Sequence, residues 1–163
     1  MSEPRDMPAL DPAIFRDVGH ALVDRIADFL AGIGDGPLTR AASPRDIRAL
    51  IGGAAPLPQH GRPVGPLVLD TAEILMRHSL HNGHPRFCGY VTSSALPVGM
   101  LGDLLAAAVN ANVGLWELAP VATEIERQAV RWIAELVGYP AGAEGLLVSG
   151  GNMANLLGFW AAR

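Results

Sequence analysis

The chain has 163 residues, half of them apolar, which is enough for one domain with a sizeable core and too apolar for extended disorder. A net charge of −4 without any basic cluster argues against a nucleic-acid partner. All twelve basic residues are arginine, so no chemistry that needs an ε-amino group can come from these residues.

Other features bound the setting. Cys88 is the single cysteine, so no internal disulfide can form, which fits a reducing compartment. Met1-Ser2-Glu3-Pro4-Arg5-Asp6 lacks a basic start followed by an apolar run, so no secretory leader is expected. No stretch of about 18 uninterrupted apolar residues occurs, so no membrane span is expected. The expected location is the cytoplasm.

In chain order, residues 1–10 read as a loose tail. Asp11-Pro12 is a helix start, with an N-cap aspartate and proline at the first helical position. Ile14, Phe15, Val18, Leu22, Ile26, Phe29 and Leu30 recur at helical spacing, which predicts a helix over 12–31. Ser43-Pro44-Arg45-Asp46 resembles a capping box with aspartate in the glutamate position, and Gly52-Gly53 ends the short helix it opens. Prolines 56, 58, 63 and 66 mark an extended connector, and a third helix is predicted over 66–79. These three helices do not make a self-sufficient core and read as an arm that packs on something else.

From His81 the character changes. His81-Asn82-Gly83-His84-Pro85 is a predicted turn, and Phe87–Val91 a short extended segment. A helix is predicted from Pro97 through Val109, followed by an irregular stretch to Glu117. Ala119-Pro120 opens the clearest amphipathic helix, with Glu124 and Arg127 spaced to pair, and Gly138 and Pro140 end it. Gly145–Val148 then reads as a buried strand, Gly150-Gly151 as a tight turn, and Asn152 as the N-cap of a last helix. A helix N-terminus after a glycine turn is a ready anion site, although an ordinary strand-to-helix turn has the same pattern.

Chemistry candidates are few. His81 and His84 lie in a turn with no cysteine or carboxylate to complete a metal set, so no metal is expected. Cys88 has no adjacent base, and Ser149 lacks the Gly-x-Ser-x-Gly elbow. The glycine turn matches neither the dinucleotide nor the Walker fingerprint. Tyr90, Thr92, Ser93 and Ser94 read equally as a substrate-positioning loop or as a strand end with a serine-rich helix entry.

Three separated motifs carry a family resemblance. His84-Pro85-Arg86-Phe87-Cys88-Gly89-Tyr90-Val91, then Asn110-x-Asn112 with Ala119–Glu126, then Ser149-Gly150-Gly151-Asn152-Met153-Ala154-Asn155-Leu156 resemble the group II pyridoxal-phosphate-dependent amino-acid decarboxylases. Phe15-Arg16 and Asp24–Asp28 look like the N-terminal arm of that family, so the resemblance runs from about residue 11 to the end. It implies a mainly α segment, with an N-terminal helical dimerisation arm over 1–80 and the start of the α/β large domain of a fold-type-I enzyme over 81–163. It also implies a homodimer, pyridoxal 5'-phosphate as cofactor and an amino acid as substrate.

By position, Gly150, Gly151 and Asn152 would meet the cofactor phosphate, although the family usually has serine where this chain has Asn152. Tyr90 and Ser93 would belong to one substrate-contacting loop and Asn112 to a second. Asn110-x-Asn112 and Glu117 lean towards the glutamate-like branch. No catalytic residue is expected here, because the family's Schiff-base lysine, ring-facing aspartate and stacking histidine all lie further along. These residues alone are therefore expected to be inactive. The alternative is a non-catalytic helical module that retains only the pairing surface.

Overall fold

The computed structural model describes residues 10–163, so all but Leu10 of the expected tail lies outside the described residues. It contains six α-helices and a 3-10 turn, with no strand among the described residues. Two compact units divide at Leu96/Pro97.

In the first unit, α1 spans Pro12–Gly32 and starts as its sequence dictates, with Asp11 Oδ1 accepting from Ala13 N at 2.8 Å. α2 spans Pro44–Leu50. Its capping box is complete: Asp46 N donates to Ser43 Oγ at 3.2 Å, and Ser43 N donates to Asp46 Oδ2 at 3.1 Å. α3 spans Val64–His78 and begins two residues before the expected Pro66. Proline fits there because the first turn of a helix needs none of its own N–H groups.

α1 and α3 pack against each other in a parallel sense. A Cβ on Gly65 would sit 3.6 Å from Val18, while Arg25 Nη1 donates to Leu69 O at 3.0 Å. Residue numbers thus rise together along both helices. Parallel neighbours need a long return connection, and the segment from Ile33 to Pro63, with α2 inside it, supplies one.

Residues 81–96 join this unit through backbone contacts. His81 N donates to Leu38 O at 3.0 Å, and the Phe29 and His81 rings meet edge to face at 5.1 Å. The turn expected at His81–Pro85 is present, closed by His84 N to His81 O at 3.0 Å. Phe87–Val91 is irregular instead of extended, and Tyr90 takes a left-handed φ of 60°.

In the second unit, α4 spans Pro97–Val109 and stops at Asn110, whose φ is 48°. A 3-10 turn over Trp116–Leu118 leads into α5, Pro120–Leu136. The expected Glu124–Arg127 pair forms, with Arg127 Nη1 2.8 Å from Glu124 Oε1. α5 ends at Gly138, φ 82°, in the left-handed conformation that glycine adopts freely. α6 spans Gly151–Ala161.

The strand expected at Gly145–Val148 does not form. A strand is defined by its ladder, and no described segment offers it an edge. Asn152 is also not the N-cap: Gly150 is, and Asn152 lies one residue inside the helix, where its side chain makes no cap.

Little of this surface is hidden. Ala72, Ala119 and His84 are buried, and no large side chain is fully buried among the described residues. Trp132, on the amphipathic face of α5, is 58% exposed. A self-contained domain of this length buries most of its apolar area. Large apolar side chains of α4, α5 and α6 stay exposed, among them Leu105, Ile125 and Trp160.

Candidate functional site

The glycine turn is built from three local decisions. Gly150 N donates back to Val148 O at 2.8 Å, which folds the chain sharply before the helix. Gly150 then takes φ 131° and ψ 173°, a conformation essentially reserved for glycine. The first α6 hydrogen bond runs from Ala154 N to Gly150 O at 3.1 Å, so the N–H groups of Gly151, Asn152 and Met153 have no carbonyl within the helix to satisfy them. No side chain caps them, and a Cβ at Gly150 or Gly151 would meet nothing within 4 Å.

N–H groups without a helical partner at the positive end of a helix dipole suit a phosphate ester. The residues present therefore fit the phosphate of a cofactor such as pyridoxal 5'-phosphate. Of the residues singled out from the sequence, the structure brings together Gly150, Gly151 and Asn152. Asn152 lies in the first turn of α6, and its side chain makes no cap there.

Asn112 belongs to the same unit, but its side-chain oxygen is engaged locally, accepting from Gly114 N at 2.9 Å. Tyr90 and Ser93 belong to the first unit. The Tyr90 side chain is 85% exposed, with its ring stacked at 6.5 Å on Phe87, so the strained backbone holds an aromatic side chain out of the fold. Among the described residues, two open clefts of about 660 Å³ each, one between α1 and α3 and one along α5, are lined by none of these residues.

The two histidines of the 81–85 turn have structural partners. His84, 3% exposed, accepts from Arg86 N at Nδ1 (3.0 Å). Its Nε2–H therefore donates to Gly36 O at 3.1 Å. His81 Nε2 donates to Met76 O at 2.7 Å.

Sequence reasoning missed the supports of the glycine turn. Glu126 Oε1 accepts from Leu147 N at 2.8 Å, and a Cβ on Gly145 would come within 3.0 Å of Val130 Cγ1. No local pattern marks a contact between residues 21 apart.

The model of the "Pyridoxal-dependent decarboxylase conserved domain" family matches residues 44–163. A tyrosine decarboxylase of Oryza sativa subsp. japonica is 33% identical over 149 residues, covering 91% of this chain and 27% of the relative. An aromatic-L-amino-acid decarboxylase of Rattus norvegicus is 30% identical, covering 94% of this chain and 33% of the relative. Among solved structures, the glutamate decarboxylase domain of a Vibrio parahaemolyticus protein superposes with a TM-score of 0.78 at 21% identity, over 91% of this chain and 32% of its own. That last likeness shows the fold alone, the mainly helical N-terminal part of a fold-type-I structure. The chain spans about a third or less of the length of these relatives. On the match over residues 44–163, the chain belongs to the pyridoxal-dependent decarboxylase family.

Proposed function

We propose that these residues form the N-terminal portion of a pyridoxal-phosphate-dependent amino-acid decarboxylase, a cytoplasmic carboxy-lyase acting as a homodimer. The observation that carries the reading is the start of α6. It combines the Gly150 backbone, which only glycine adopts freely, with N–H groups left open at Gly151, Asn152 and Met153, inside the stretch that matches the family.

The cofactor, when bound, supplies an electron sink that makes the bond between an amino acid's Cα and its carboxylate breakable. The part played by these residues is to hold. Gly151, Asn152 and Met153 offer N–H donors to the phosphate dianion, and the α6 dipole favours its charge. By holding the phosphate, these residues would anchor the cofactor at the start of α6. Tyr90 and Ser93 are assigned to one substrate loop and Asn112 to another. In that role Asn112 keeps its oxygen on Gly114 N and presents its amide NH₂.

An aromatic amino acid is favoured over glutamate as substrate, because the curated relatives named above act on tyrosine or aromatic amino acids, whereas the glutamate-type neighbour speaks for the fold alone. The division into an arm over 1–80 and a large-domain start over 81–163 is part of the same proposal. Ile14 and Phe15, exposed at the start of α1, support an arm that packs on a second subunit.

The exposed Ile14 and Phe15 also give a second reading some support, namely a non-catalytic helical module that keeps only the pairing surface. The native protein, purified from its source, separates the two. The enzyme reading expects a mass well above 17.1 kDa, bound pyridoxal phosphate and CO₂ release from an aromatic amino acid, with residues 1–163 alone inactive. A native protein of 17.1 kDa that binds no cofactor would establish the module instead.

A further inference from the structure

The segment that enters the glycine turn is seated on α5 at two points. Glu126 and Val130 are four residues apart and so lie on one face of that helix. The first accepts the Leu147 N–H at 2.8 Å, and the second closes on Gly145, where a Cβ would come to 3.0 Å and Val130 would have to give by a few tenths of an ångström. Arg127 is paired with Glu124, so the Glu126 carboxylate is left to the backbone. A carboxylate acceptor makes this bond stronger than a neutral one. Only Val148 and Ser149 separate Leu147 from Gly150, and the Gly150 N to Val148 O bond removes slack there.

We infer that Glu126 is a positioning residue for the phosphate-binding turn, holding the open N–H groups of α6 at a set place relative to α5, with Gly145 packed on Val130 as the second point of the seat. The inference rests on the phosphate reading of the turn proposed above. Glu126 touches no ligand itself. It acts through Leu147, and its contribution is confined to the part of the cofactor that the turn grips.

The test uses the full-length protein carrying these residues, freed of cofactor and titrated separately with pyridoxal phosphate and with pyridoxal, which lacks the phosphate. Glu126→Ala is expected to weaken pyridoxal phosphate by about tenfold, the scale of one lost ordering hydrogen bond, while pyridoxal binding is unchanged. Glu126→Gln keeps an acceptor oxygen and is expected to restore near-wild-type affinity. Gly145→Ala, acting at the other point of the seat, is expected to reproduce the phosphate-selective loss even if Glu126→Ala fails to fold. Equal weakening of both ligands, or of neither, overturns the inference. If the wild-type protein binds pyridoxal phosphate no more tightly than pyridoxal, the phosphate reading of the turn itself falls and takes the inference with it.

Discussion

The indole Nε1–H of Trp116 donates to Glu124 Oε1 at 2.9 Å, the same carboxylate oxygen that receives Arg127 Nη1 at 2.8 Å. This shared oxygen ties the 3-10 turn to the first turns of α5, beside the Thr123 hydroxyl that donates to Ala119 O at 2.9 Å. The irregular stretch after α4 is therefore docked by side chains where no regular ladder exists. Trp116→Phe keeps most of the ring area and removes the donor. It is expected to cost about 0.5–1 kcal/mol, since the partners are exposed and water replaces part of the bond. A shift in urea midpoint against wild type measures it, and Glu124→Ala should cost more because two donors lose their acceptor.

The two glycines of the turn are expected to respond differently to alanine. Gly150→Ala places a Cβ on a φ of 131°, at a cost of about 1–3 kcal/mol in backbone strain, and should lose most phosphate-dependent cofactor affinity. Gly151→Ala sits at the first helical position with open space around it, keeps its N–H, and should change affinity by about threefold or less. Cofactor titration of both variants checks the order. A stronger effect at Gly151 would contradict the geometry described for this turn.

His84 holds the entry to residues 84–91. Buried at 3% exposure, it satisfies Gly36 O and Arg86 N at once. His84→Ala leaves both groups without that partner and is expected to destabilise the first unit by about 2–4 kcal/mol. Thermal unfolding monitored with the variant and wild type side by side gives the value. A shift below about 0.5 kcal/mol would mean that water replaces both bonds.

Asp46 supplies a pH-dependent cap. Its carboxyl is held below the ordinary carboxylate range, first by the Ser43 hydroxyl and then by the Ser43 backbone N–H. A depressed folded-state value means that the stabilisation is fully present above the unfolded carboxylate's pKa and is lost as pH falls through the folded one. Amide exchange in α2, expressed relative to its intrinsic rate at each pH, should therefore accelerate on acidification below the ordinary range. Asp46→Asn should show the faster exchange already at neutral pH and respond less to acid.

The helices and their ends were legible in the chain because the signals that set them are local. Asp11-Pro12, the Ser43–Asp46 box, and Gly138 with Pro140 act within one turn of the backbone they terminate, so α1, α2 and α5 lie close to where residue spacing put them. The glycine turn was legible for the same reason, since Gly150 needs a backbone that only glycine adopts freely. What sequence spacing could not determine is whatever depends on a distant partner. The strand expected at Gly145–Val148 needs a neighbouring edge, and none lies within the described residues. Asn152 has the chemistry of an N-cap, but the backbone bends at Gly150 and starts the helix before it. The parallel pairing of α1 with α3, the closure of Gly36 onto His84 and the grip of Glu126 on Leu147 join residues between 21 and 48 positions apart. Contacts that far apart leave no periodicity in the chain, because chain entropy opposes each closure and only the assembled packing offsets it. Tertiary structure alone decided them.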